Sequence, residues 1–133
     1  MACWELLKNL QPVAVATVDQ LRPRVRPMTL ICKQERLFLA TGLRDAKVEQ
    51  LKTQPYLELY LALKNEAGNG YLRISGKVEP VRQVQTKKEI ADFAHFIYDY
   101  WEDPANEDYV LYELHAQEWR YLKPGEDLET LSF

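Results

Sequence analysis

The chain has 133 residues, a formal net charge of −3, 47% hydrophobic residues and 28% charged residues. That length predicts one domain spanning residues 1–133 with a real core, and that balance excludes a disordered chain. A slightly acidic protein has no general affinity for nucleic acid or an anionic membrane, and no apolar run approaches the roughly 20 residues of a membrane helix.

Cys3, Leu6, Leu7 and Leu10 recur at helical spacing, which predicts a short opening helix stopped by Pro12. The N-terminus lacks the basic start and long apolar centre of a signal peptide. Val13 to Val18 is apolar and rich in β-branched residues, so it reads as a buried strand. Asp19-Gln20 is a plausible turn into a second strand, from about Arg22 to Lys33. Gln34-Glu35 turns the chain again into a third strand, Leu37 to Thr41. Asp45 is a good helix N-cap, with Val48 and Leu51 facing inward along a short helix that ends before Pro55.

From Tyr56 the period changes to two. Leu57, Leu59, Leu61 and Leu63 share one face of a strand, and Gly68-Asn69-Gly70 supplies a turn. Leu72, Ile74 and Val78 then face inward on the next strand. Thr86 and Glu89 match a capping box. One longer helix is expected to bury Ile90, Phe93, Ala94, Ile97, Tyr98 and Trp101 before Asp103-Pro104 stops it. Tyr109 to Leu122 reads as strand, and Leu128 to Phe133 as a short final strand. Tight hairpins predict an α+β fold, mainly antiparallel, with about six strands closed into a small barrel and helices flanking it.

Cys3 and Cys32 fit no metal motif and are too few for a disulfide framework. They read as ordinary thiols in a reducing compartment, the cytoplasm. His95 and His115 have no ligand-spaced neighbours, so no metal site is expected. The stretch that carries chemistry is Arg22 to Lys47. Arg22, Arg24 and Arg26 share a strand face with Met28 and Leu30, and a core cannot hold three unpaired guanidinium groups. Either that face leaves the core near its start, or Arg26 meets an anion. Lys47 sits in the first turn of the Asp45 helix, where a cation gains nothing from the helix dipole. It makes sense there if it meets a dianion at the helix N-terminus, with Thr41 adding a hydroxyl. The blander reading is a solvated basic strand end.

The ordered series Arg22-Pro23-Arg24-Val25-Arg26-Pro27, Leu37-Phe38-Leu39-Ala40-Thr41-Gly42, Lys47-Val48 with Leu51, Gln54-Pro55 and Tyr71 to Glu79 resembles the pyridoxamine 5′-phosphate oxidase-like family of flavin-binding split β-barrels. The resemblance covers roughly Val13 to Val81. It implies a homodimer that binds FMN at two sites between its subunits. The implied flavin contacts are Arg26, Pro27, Met28, Thr29 and Leu30 on the second strand, Ala40 and Thr41 at the end of the third, Lys47 at the phosphate, and Tyr71 on the later strand. Trp119 is a looser match, as a contact offered by the partner. The vitamin half of the family's site is missing. Ala46 replaces a basic residue, Ile31 replaces a Lys, and no Arg-x-His motif stands in Leu128 to Phe133. The smaller relatives, described as general stress or nitroimidazole-resistance proteins, are closer in length.

The resemblance implies an FMN-dependent oxidoreductase that passes electrons from a reduced nicotinamide to a small acceptor, and not a true pyridoxamine phosphate oxidase. No acid or base stands out as catalytic. Two alternatives stay open: a non-enzymatic module that holds flavin, deazaflavin or haem, with His95 and His115 the only conceivable haem ligands, and a structural dimer with a lapsed site. Tyr98 to Trp101 reads as helix packing and dimer surface.

Overall fold

The computed structural model describes residues 4–133. In chain order it contains β1 (Leu10–Asp19), β2 (Arg22–Lys33), β3 (Arg36–Gly42), α1 (Ala46–Thr53), β4 (Tyr56–Asn65), β5 (Gly68–Pro80), α2 (Val84–Phe93), β6 (Tyr109–Leu122) and β7 (Thr130–Ser132). Single 3₁₀ turns cover Trp4–Leu6 and His95–Asp99. Every strand pairing is antiparallel. The order β3-β2-β1-β4-β5-β6 closes on itself through a β3–β6 pairing, and β7 is added at the β6 edge. The expected six-stranded split barrel is the observed one.

Alternation along the strands fills the barrel. Val13, Val15, Leu30, Leu39, Leu57, Leu59, Leu61, Leu72, Ile74 and Val78 pack inside it, with Val48 and Leu51 of α1 closing one end. A second cluster lies outside the wall, where α2 and the following turn cover Ile31, Phe38, Tyr109 and Leu111 with Ile90, Ala91, Ala94 and Ile97. Lys87 of α2 is buried over the Tyr109 ring, 4.7 Å from its centroid, and the Tyr109 hydroxyl donates to the Lys87 carbonyl at 3.0 Å. Burial holds the Lys87 ammonium below its ordinary pKa and pushes the Tyr109 phenol up.

Several local expectations need correction. Cys3 lies outside the described residues. Beyond it there is only the turn at Trp4–Leu6, and Leu10 already belongs to β1. Pro12 therefore sits in a strand. It pairs with Thr29 of β2, while β4 reaches β1 only at Ala14 to Ala16, so its missing N–H interrupts no ladder on that side. The first hairpin turns at Gln20-Leu21, not Asp19-Gln20, and both residues have positive φ (48° and 70°). Gln34-Glu35 turns the second hairpin as expected, also with positive φ (51° and 58°).

The third hairpin turns at Glu66-Ala67, because Asn65 pairs with Gly68. Gly70 serves close packing instead: a Cβ there would stand 2.1 Å from the Leu122 carbonyl oxygen. Gly76 sits at a bulge, where the register against β6 shifts and a Cβ would meet the His115 oxygen at 2.0 Å. Gln83, not Thr86, is the residue before α2, so the capping-box expectation fails. The helix also stops at Ala94 (φ −113°, ψ 78°), and Ile97 and Tyr98 belong to a separate 3₁₀ turn. Periodicity alone cannot register that break, since the apolar spacing continues through it.

Candidate functional site

The barrel opens between β2 and β3. β2 pairs with β3 only at Ile31 to Lys33, while β1 pairs with β2 from Asp19 back to Leu10. The other edge of β3 pairs with β6 from Leu37 to Gly42. From Leu30 back to Arg22 the far edge of β2 has no strand partner among the described residues. Pro27 is tolerated there because an edge needs fewer ladder donors. A cleft of about 470 Å³ lies in this split, lined by Pro27, Met28 and Thr29 of β2, Ala40, Thr41 and Gly42 of β3, and Lys47 of α1. The size suits a small organic ligand.

Cations gather at one end. Arg26 lies opposite Val15 on the inner face, which leaves the core by degrees: Leu30 is fully buried, Met28 and Arg26 are half-buried, and Arg24 is exposed. Arg26 donates to Thr17 Oγ1 (2.8 Å) and Gln50 Oε1 (3.3 Å), and Thr17 Oγ1 donates to the same Gln50 oxygen (2.6 Å). All these partners are neutral, so no carboxylate among the described residues accepts a hydrogen bond from Arg26.

Lys47 is 5% exposed, and its Nζ donates to Thr41 Oγ1 at 2.7 Å. Asp45 caps α1 by accepting from Lys47 N at 3.0 Å, and its other oxygen stands 2.8 Å from Lys47 Nζ. Partial burial works against the Asp45 carboxylate. The bonds from Lys47 and the charges of Lys47 and Arg26 outweigh it and hold the carboxyl below its ordinary range. Both cations therefore act on the same spot at the N-terminus of α1.

Phe96, Tyr100 and Trp101 form the opposite wall of the cleft. Trp101 is stacked on Tyr109, with centroids 5.3 Å apart and planes at 18°, and Tyr100 packs beside it at 5.5 Å. Sequence reading assigned Tyr100 and Trp101 to helix packing and dimer surface, and gave Phe96 no role. The signal was the run of rings after Ala94, but only the helix break turns them toward β2 and β3. No carboxylate or histidine lines the cleft.

The cleft thus brings together Pro27, Met28, Thr29, Ala40, Thr41 and Lys47, with Arg26 beside it. The other candidates lie apart from it. Leu30 is a core residue with no exposed surface. Tyr71 is on the outer face of β5, where its hydroxyl bonds to Glu129 and its ring is 5.5 Å from that of Tyr60. Trp119 is 4% exposed and packs edge-on against Trp4 in the barrel core. His95 is exposed beside Tyr98, and His115 is half-exposed near Glu79, 3.6 Å away.

Known structures share this fold. A NimC/NimA family protein from Clostridium acetobutylicum superposes with a TM-score of 0.79 at 16% identity, covering 96% of this chain and 86% of that one. General Stress Protein 26 from Bacillus anthracis gives 0.71 at 17% identity, covering 86% and 85%. The haem storage protein HutZ from Vibrio cholerae gives 0.63 at 19% identity, covering 80% and 82%. No curated protein matches the chain in sequence. The family model described as pyridoxamine 5′-phosphate oxidase matches residues 2–123. With that match over most of its length and a split barrel beneath it, the chain belongs to the pyridoxamine 5′-phosphate oxidase family.

Proposed function

We propose that the protein is an FMN-binding flavoprotein, an oxidoreductase that passes electrons from a reduced nicotinamide to a small acceptor, and not a true pyridoxamine phosphate oxidase. The observation that carries this reading is the split between β2 and β3, with a cationic end and an aromatic wall in one cleft. The residues present fit the cofactor. Arg26, Lys47 and Thr41 offer donors to a phosphate, each charge-assisted bond contributing about 1.5–3 kcal/mol. Phe96, Tyr100 and Trp101 offer faces to a planar ring, and the unpaired edge of β2 offers backbone groups to its polar rim. When bound, FMN supplies the redox chemistry, and the chain supplies binding, orientation and exclusion of water.

A homodimer with the cofactor between subunits goes with this reading. Val18, Val25, Tyr56 and Tyr60 are large apolar residues left exposed on β1, β2 and β4, a surface that a second copy would cover. Tyr71, on the outer face, would then reach the partner's cleft. We place this dimer in the cytoplasm; no helix among the described residues is long and apolar enough to cross a membrane.

The test is titration of the purified protein with FMN, followed by addition of a reduced nicotinamide. The reading expects saturable quenching of flavin fluorescence and bleaching of the bound flavin. Absence of FMN binding would end it. The likeness to a haem storage protein supports a second reading, a non-enzymatic module for haem or a deazaflavin. His95 and His115 do not line the cleft, so a haem spectrum lost on replacing His115 would place that ligand elsewhere on the molecule. Side-by-side affinities separate FMN from deazaflavin.

A further inference from the structure

Asp45 has more oxygen than a helix cap requires. One carboxylate oxygen accepts from Lys47 N at 3.0 Å and starts α1. The other stands 2.8 Å from Lys47 Nζ, which also donates to Thr41 Oγ1 at 2.7 Å. Asn or Ser would cap the helix equally well with one oxygen. The second oxygen therefore engages the ammonium that an incoming phosphate needs. The Lys47 side chain is 6% exposed and that of Asp45 is 41% exposed, so the carboxylate can swing into water while the ammonium stays.

We propose that Asp45 is a resident anion that competes with the ligand's phosphate for Lys47, and so sets how tightly the cleft holds a phosphorylated ligand. This rests on the phosphate-binding reading above. Arg26 and Lys47 contribute two positive charges, and Asp45 returns one negative charge, which leaves a net charge of about +1 for a dianionic phosphomonoester to meet. Binding must displace the Asp45 oxygen from Lys47, and the two anions then repel each other. A flavin without a phosphate makes no such demand.

Asp45→Asn keeps the cap and removes the charge, and Asp45→Ser does the same without an amide that could donate to the ligand. Dissociation constants for FMN and riboflavin are measured by flavin fluorescence, and for inorganic phosphate by calorimetry, in the native protein and both variants. The expected result is FMN and inorganic phosphate bound roughly tenfold tighter in the variants, with riboflavin changed less than about twofold. Unchanged or weaker binding of FMN and inorganic phosphate in a folded variant would reduce Asp45 to a cap and overturn the proposal. If the native protein binds neither flavin, the FMN reading fails alone. Inorganic phosphate then decides: tighter binding in the variants sustains the resident anion, and no difference ends it. If Asp45→Asn does not fold, Asp45→Ser carries the test.

Discussion

Arg73 and Arg120 on one side of the barrel and Arg26 on the other meet different kinds of partner. On the β4–β5–β6 side both arginines meet carboxylates. Arg73 bonds to Glu58 (3.0 Å) and Glu129 (3.2 Å), Arg120 pairs with Glu118 and with Glu129 (3.0 Å), and the Tyr71 hydroxyl also bonds to Glu129. These groups tie the segment before β7 to the barrel wall. On the β2–β3 side Arg36 also meets a carboxylate, Glu113 (2.8 Å), but Arg26 hydrogen-bonds only to neutral oxygens among the described residues, and Lys47 shares a half-exposed carboxylate with solvent. Guanidinium groups matched by carboxylates on neighbouring strands belong to the architecture. A half-buried guanidinium whose hydrogen-bond partners are all neutral marks a place where an anion from outside would be favoured.

The largest effect should come from the architectural side. Gly76→Ala puts a methyl group against the His115 carbonyl and should cost about 3 kcal/mol in denaturant unfolding. Whatever protein remains folded should bind FMN as before. Next, Arg26→Ala and Lys47→Ala should each weaken FMN by about 1.5–3 kcal/mol in a fluorescence titration. Equal losses of FMN and riboflavin would mean that the cations are architectural after all.

A smaller, pH-dependent effect belongs to Glu129. The bonds from Tyr71 and Arg120 outweigh burial and hold its carboxyl below the ordinary 4.5. A lowered folded pKa stabilises above the unfolded value and is lost as pH falls through the folded one. Glu129→Gln should therefore lower the melting temperature at pH 7, and the difference should shrink well below pH 4.5. The smallest effect is expected at the first hairpin. Leu21 is 94% exposed with φ at 70°, so Leu21→Gly relieves a left-handed conformation without losing packing, and should stabilise by about 0.5 kcal/mol.

Much of the fold was legible because period-two alternation fixes strand faces. Leu57, Leu59 and Leu61 and the boundaries of β2 and β6 lie where alternation puts them. Asp45 was legible because capping is local chemistry, and its bond to Lys47 N realises it. The site's phosphate end was legible as residue types: a basic strand, a hydroxyl and a lysine at a helix start. The Asp45–Lys47 pair was not, because a side chain's partner depends on rotamers that spacing does not fix. The aromatic wall was hidden for a different reason. Ile97 and Trp101 keep helical spacing, yet the chain leaves the helix at Ala94 and presents Phe96 and Tyr100 to the cleft. The split itself is a property of the pairings, since β2 and β3 pair at only three positions while the other edge of β3 runs along β6 from Leu37 to Gly42. No local pattern records that arrangement.

The most direct measurement compares the native protein's affinity for FMN with its affinity for riboflavin, which share a ring and differ only in the phosphate. If Arg26, Thr41 and Lys47 hold a phosphate in the split, FMN should bind at least about tenfold more tightly. Equal affinities would show that the cations do not engage the phosphate, and would contradict the account.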